Sequence, residues 1–217
     1  MKYKHVIWDW NGTLIDDRRF CIEIMNEALK KRDMEEMTEE WFLDNFCFPV
    51  KDYYLKLGFD FEKESFNISG TEFINNYMAR CHELQLHQGV RDVLDHVKNL
   101  SIEQSLLSAS SQEMLNQILE HHDINGYFIK ILGTDNHYAY GKEALTQKTI
   151  KDLNLNPKEV LFIGDTIHDK DIADSVGSNC LLISKGHVSR SRLENTCLLY
   201  TSPSPRDATL SRMPSSA

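Results

Sequence analysis

Short apolar runs bounded by polar residues recur along the chain, and most are followed by a stretch with helical spacing. Lys4-His5-Val6-Ile7-Trp8, about 104–107, 128–132, Val160-Leu161-Phe162-Ile163 and 180–183 predict strands. Between the later strands the pattern changes to period 3.6. Val90, Val93, Leu94 and Val97 share one helical face, Met114, Leu115, Ile118 and Leu119 another, and further helices are expected over 142–153 and 169–176, the last closed by Gly177. Such an alternation predicts an α/β chain, a Rossmann-like doubly wound parallel sheet.

The stretch after the first strand breaks this alternation. Cys21, Ile24, Met25, Ala28 and Leu29 predict a helix over 17–32. Thr38 can cap a second helix carrying Trp41, Phe42 and Phe46, and Pro49 to Leu57 a third, closed by Gly58. Ser69 with Glu72 has capping-box spacing ahead of Phe73, Tyr77, Cys81 and Leu84. No strand is expected there. The layout is therefore a core of residues 1–16 and 88–196, interrupted by an inserted α-helical cap over 17–87. Residues 197–217 hold three of the five prolines and no apolar periodicity, a composition that suits disorder; the string also resembles translated adapter sequence and is left out of the functional reading.

Composition narrows the class. A hydrophobic share of 41% and a charged share of 26% are ordinary for a globular protein, and no run approaches the roughly 18 apolar residues of a membrane span. The N-terminus leads straight into a strand without a signal-peptide pattern, and the five cysteines lack zinc or redox spacing, so a cytoplasmic protein with reduced thiols is expected. A net charge of -9 argues against a general nucleic-acid binder. Oligomeric state is not legible.

The chemistry concentrates where strands end. The first strand runs into Asp9-Trp10-Asn11-Gly12-Thr13, and the one over 160–163 into Gly164-Asp165-Thr166-Ile167-His168-Asp169. Ligands of open α/β sheets bind outside the carboxyl ends of the strands, so the two acidic clusters should meet in one crevice. A carboxylate there can act as a nucleophile, and hard oxygen ligands suit Mg2+. Gly12 permits close approach to a phosphate.

These residues resemble the haloacid dehalogenase superfamily of hydrolases, and among them phosphoglycolate phosphatase-like members. Asp9 to Thr13 match its first motif, Ser108 the second, Lys142 in Tyr140-Gly141-Lys142-Glu143 the third, and Gly164 to Asp169 the fourth. The resemblance implies an Asp9 nucleophile forming an aspartyl-phosphate, with Thr13 fixing the loop and Ser108 holding a phosphoryl oxygen. It implies that Lys142 neutralises charge, and that Asp9, the backbone carbonyl of Asn11, Asp165 and Asp169 serve Mg2+. Gly12, Ala109 and the cap residue Lys51 are expected near a small phosphorylated substrate. Ser110 and Ser111 compete with Ser108, and His168 is read as a rim residue.

One position departs from the pattern. Asn11 stands where phosphatases of the superfamily carry a second aspartate. Three alternatives to a phosphatase stay open: a phosphonatase-like hydrolase forming a Schiff base at Lys51, a dehalogenase, and a binder without catalysis.

Overall fold

In a computed structural model of the chain, residues 2–134, 142–196 and 199–200 are described. Strand β1 (His5–Trp8) lies near the middle of a parallel sheet ordered β3-β2-β1-β4-β5-β6, with β2 (Glu103–Ser111), β3 (Lys130–Thr134), β4 (Val160–Gly164), β5 (Asn179–Ile183) and β6 (Leu199–Tyr200). The order reverses between β1 and β4, which creates a crevice at their carboxyl ends. Alternation along the strands builds two layers. Val6, Trp8, Leu161 and Ile163 face one core cluster, while Ile7, Val160 and Phe162 face the other.

Helices α5 (Val90–Asn99) and α6 (Gln112–His121) cover the first face, burying Leu94, Leu115 and Leu119 completely. On the second, Ile172 and Ala173 of α8 (Ile167–Ser175) pack beside partly buried Leu145 and Ile150 of α7 (Lys142–Asp152). Gln104 is a buried polar residue in β2, and its amide is satisfied. It accepts from Trp8 Nε1 at 3.0 Å and donates to the Leu94 carbonyl at 3.1 Å, locking helix to sheet.

Between β1 and α5 the chain forms α1 (Arg18–Lys30), α2 (Glu39–Asn45), α3 (Val50–Lys56) and α4 (Phe66–Arg80). They share an aromatic cluster of their own around Phe42, Tyr53, Tyr54 and Phe59. The strand-like entry and exit of this segment pair with each other: Asp16 N donates to the Gln85 carbonyl and His87 N to that of Leu14, both at 2.9 Å. Thr38 caps α2 as expected, its hydroxyl accepting from Trp41 N at 3.1 Å. The expected capping box at Ser69 and Glu72 is not used. The α4 helix starts a turn earlier, where Phe66 packs edge-on against Tyr54, and Glu72 instead takes Arg32 and Lys31, each at 2.7 Å.

Leu199–Tyr200 pairs with β5 although composition places it in the tail. Residues 201–217 lie outside the described residues, as do Tyr140 and Gly141 of the third motif. No helix among the described residues is long and apolar enough to cross a membrane.

Burial pushes the Glu72 carboxyl up, but Lys31 and Arg32 outweigh it and hold it below the usual range. Its contribution is therefore present above the ordinary glutamate pKa and lost as pH falls through the depressed one. Glu72→Gln should cost about 1 kcal/mol at neutral pH, with the gap to the parent closing below about pH 4. Urea unfolding of both proteins at the two pH values checks this; a gap independent of pH would assign the loss to packing.

Candidate active site

Asp9 leaves β1 with its backbone N–H on the Ile163 carbonyl of β4, at 2.8 Å, so its side chain emerges at the switch point. Lys142, the first residue of α7, reaches across 133 positions to it. Its ammonium bonds Asp9 Oδ1 and, at 2.6 Å, Asp169 Oδ1. Asp169 is held from behind by Thr166 in a capping box that starts α8, with the Thr166 hydroxyl at 2.7 Å and its N–H at 3.0 Å. Asp165 is fully buried. It accepts from Thr13 Oγ1 at 3.0 Å and from the His187 N–H at 2.7 Å. Carboxylate oxygens of Asp9, Asp165 and Asp169 all lie within 4.8 Å of one another.

Beside this cluster lies a hub that the motifs do not announce. Asp17 is completely buried and accepts from Gly12 N and His187 Nε2, each at 2.9 Å, from Asn11 Nδ2 at 2.8 Å and from the Tyr77 hydroxyl at 2.9 Å. His187 Nδ1 faces Asp165 at 3.3 Å. Burial pulls the imidazole pKa down, but Asp17 and Asp165 outweigh it and hold His187 well above its ordinary value, hence protonated. Asp17 is correspondingly lowered: burial opposes ionisation, and His187, Asn11 and Tyr77 overcome it.

This hub fixes the Asn11 side chain. Its Nδ2 donates to Asp17 and to Tyr77, the latter at 3.2 Å, and its Oδ1 accepts from Ser108 at 3.3 Å and Ser110 at 2.8 Å. Both amide hydrogens and the carbonyl are thereby occupied.

A family model described as haloacid dehalogenase-like hydrolase matches residues 6–183. The chain belongs to the haloacid dehalogenase-like hydrolase family. A phosphoglycolate phosphatase from Aquifex aeolicus is 23% identical over 186 residues, 84% of this chain and 85% of that protein. A 5'-nucleotidase from Pseudomonas aeruginosa is 22% identical, spanning 89% of this chain and 88% of its own. Among solved structures, a haloacid dehalogenase-like hydrolase from Bacteroides fragilis superposes with a TM-score of 0.79 at 19% identity, covering 93% of this chain and 97% of its own.

Membership in the hydrolase family raises the question of a metal, and the residues present fit one. Four buried or nearly buried carboxylates (Asp9, Asp17, Asp165 and Asp169) face two cations, Lys142 and His187. The excess of negative charge matches a divalent cation. Burial pushes the Asp9 carboxyl up to about 8, with Asp169 and Asp165 adding to the rise and Lys142 opposing it. Lys142 is held above its usual range: burial pulls it down, and Asp169 and Asp9 more than reverse that. Glycines make room for these groups. A Cβ on Gly12 or Gly186 would overlap the Asp165 carboxylate, and one on Gly164 would overlap Asp169. Gly12 also needs its φ of +73°, which other residues rarely adopt.

Asp9, Asn11, Thr13, Lys142, Asp165 and Asp169 are thus brought together. A cavity of about 160 Å³ opens beside them, lined in part by Asp9, Asn11, Lys142, Asp169, Ala109 and Ser110. Ser108 is completely buried in β2 and does not line it. Its hydroxyl accepts from Ser110 N at 3.0 Å and supports the serine that does. Ser111 also lines the cavity while capping α6 through Met114 N. Lys51 stands apart: it is exposed, with its ammonium 5.4 Å from the Phe61 ring centre, and does not line the cavity. The α3 register turns it onto an aromatic face outside the crevice. His168 stacks on Phe48 at 4.7 Å and is not in the lining.

Sequence reading missed Asp17, Tyr77 and His187. The only local signal was Gly186-His187 soon after β5, where a loop meets the same crevice. Gly186→Ala should displace Asp165 and cost about 10–100-fold in metal affinity or activity, the usual effect of disturbing the groups behind a metal ligand. Metal titration of the variant, with circular dichroism to verify folding, checks this; parental affinity would show that the loop yields freely.

Proposed function

We propose that the chain is a Mg2+-dependent phosphatase acting on a small phosphorylated metabolite through an aspartyl-phosphate on Asp9. The observation that supports this most is the placement of Lys142 between Asp9 and Asp169 in the wall of a cavity, with Asp165 close to both carboxylates. Relatives named as phosphatases over most of their length support the same reading. A cytoplasmic setting fits it as well.

Asp9, Asp165, Asp169 and the backbone carbonyl of Asn11 would hold the metal; the Asn11 side chain is committed elsewhere. Bound there, Mg2+ would withdraw charge from the phosphoryl oxygens. The chain's own residues do the rest. An Asp9 carboxylate oxygen attacks phosphorus, the ester P–O bond breaks, and the leaving oxygen departs with its electron pair and takes a proton from water. A second water then attacks phosphorus, releasing inorganic phosphate and freeing Asp9. Lys142 offsets charge on Asp9 and the transferring group, and Ser110 offers a hydroxyl at the cavity wall. Helices α1 to α4 act as the cap that limits water, with Phe42 and Phe46 roofing His187 at ring distances of 5.8 and 5.4 Å.

The alternatives have less to stand on. A Schiff base at Lys51 would need that amine in the cavity, and a dehalogenase gives no purpose to Asp165 and Asp169 gathered beside Asp9.

Asp9→Asn should abolish turnover of phosphate esters and remove the phosphorylated peptide found by mass spectrometry after an acid quench. Asp165→Ala should retain the fold and lose activity at Mg2+ concentrations that saturate the parent. Hydrolysis by Asp9→Asn at the parental rate would remove Asp9 from the reaction, and full activity of the parent in EDTA would remove the metal.

A further inference from the structure

The cavity is lined by two unlike sets of residues. Beyond the carboxylates and Lys142 its wall is built by Phe46, Phe48, Val50, Phe73, Ile74 and Met114, from the α2–α3 region, α4 and α6. Gly70, in the interior of α4, also lines it. Among the described residues the cavity's only cations are Lys142 and His187, and both are already paired with buried carboxylates. Tyr77 reaches the lining too, but its hydroxyl is spent on Asp17. Among the described residues Tyr54, Ser110, Ser111 and Thr166 also reach the lining, but its larger part is apolar and favours an apolar ring over a carboxylate or a sugar.

The second observation is independent. Asn11 lines the cavity beside Asp9, and its amide has both hydrogens on Asp17 and Tyr77. Asparagine is no acid, and this one has no free N–H to lend. A leaving group that needs a proton as it departs gains nothing from it. A phenolate, which spreads its charge into the ring, needs none.

We propose that the preferred substrates are aryl phosphate monoesters, with the ring of the departing phenol in the chamber formed by Phe46, Phe48, Phe73, Ile74 and Met114. This rests on the phosphatase reading above and names its substrate class. Asp9 attacks phosphorus, the P–O(aryl) bond breaks, and the phenolate leaves with the bonding pair, taking its proton from solvent after release.

The test compares phenyl phosphate, benzyl phosphate and phosphoglycolate with Mg2+. Phenyl and benzyl phosphate share a ring, but only phenyl leaves well without a proton. Their kcat should differ by about 10²–10⁴-fold, the usual worth of general acid catalysis, with similar KM. Asn11→Asp should narrow that gap. Phosphoglycolate should have the highest KM of the three. Ile74→Arg, which puts a cation in the chamber, should lower the phenyl phosphate to phosphoglycolate ratio of kcat/KM by about tenfold, the worth of one charge-assisted hydrogen bond. A ratio is insensitive to the fraction of variant that folds. A kcat/KM for phosphoglycolate equal to or above that for phenyl phosphate, equal kcat for phenyl and benzyl phosphate, or an unchanged ratio in Ile74→Arg would overturn the proposal and leave the phosphatase reading standing. No turnover of any of the three, with no phosphoryl adduct on Asp9, would overturn that reading itself.

Discussion

The rest of the site depends on one electrostatic problem, the gathering of carboxylates where two strands end. Asp9, Asp165 and Asp169 place oxygens within 4.8 Å of one another in a crevice largely closed to water. Like charges that close disfavour full ionisation, and burial makes the repulsion worse. Lys142 answers part of it by bonding Asp9 and Asp169 together, and His187 answers another part by sitting between Asp165 and Asp17. Two cations do not balance four carboxylates. The remaining charge is the physical reason the crevice suits a divalent ion and a group transferred in its presence.

The same constraint shapes the surrounding fold. The sheet order brings β1 and β4 together, so Asp9 and Asp165 emerge side by side. The α8 capping box orients Asp169, and glycines at 12, 164 and 186 leave space that any side chain would fill. The loop after β5 carries His187 and is tied to the inserted helices. Ser189 N and Arg192 Nη1 each donate to the Leu43 carbonyl at 3.0 Å, and Arg192 Nη1 reaches that of Phe46 at 2.9 Å. Arg18 of α1 in turn donates to the carbonyls of Lys185 and Gly186. Movement of those helices would therefore be felt at His187, and through it at Asp165.

Much of this was legible from one-dimensional pattern because strand ends concentrate chemistry. The alternation of apolar runs and helical stretches indicates the sheet, and the acidic clusters after β1 and β4 indicate the crevice. What stayed hidden was what depends on distance along the chain. Asp17 and His187 are 170 residues apart and meet through folding alone, and Asp17 looks from sequence like the start of a helix. Motif position puts Ser108 on the substrate, yet it is fully buried with its hydroxyl engaged by Asn11 and Ser110 N, and Ser110 lines the cavity instead. Lys51 was a matter of register: α3 presents it to Phe61. Glu72 shows that a local capping signature yields when two cations and an aromatic contact compete for the same turn.

The central claim is that the charge left over in this crevice is complemented by a divalent cation. Thermal unfolding across a Mg2+ titration, for the parent and for Asp165→Asn, tests it without reference to any substrate. A ligand that binds the folded state stabilises it by about 2.7 kcal/mol at a hundredfold excess over Kd. The parent Tm should climb steadily with Mg2+ concentration, and the Asp165→Asn Tm should stay nearly flat. A parent Tm indifferent to Mg2+, or the same climb in both proteins, would contradict the account.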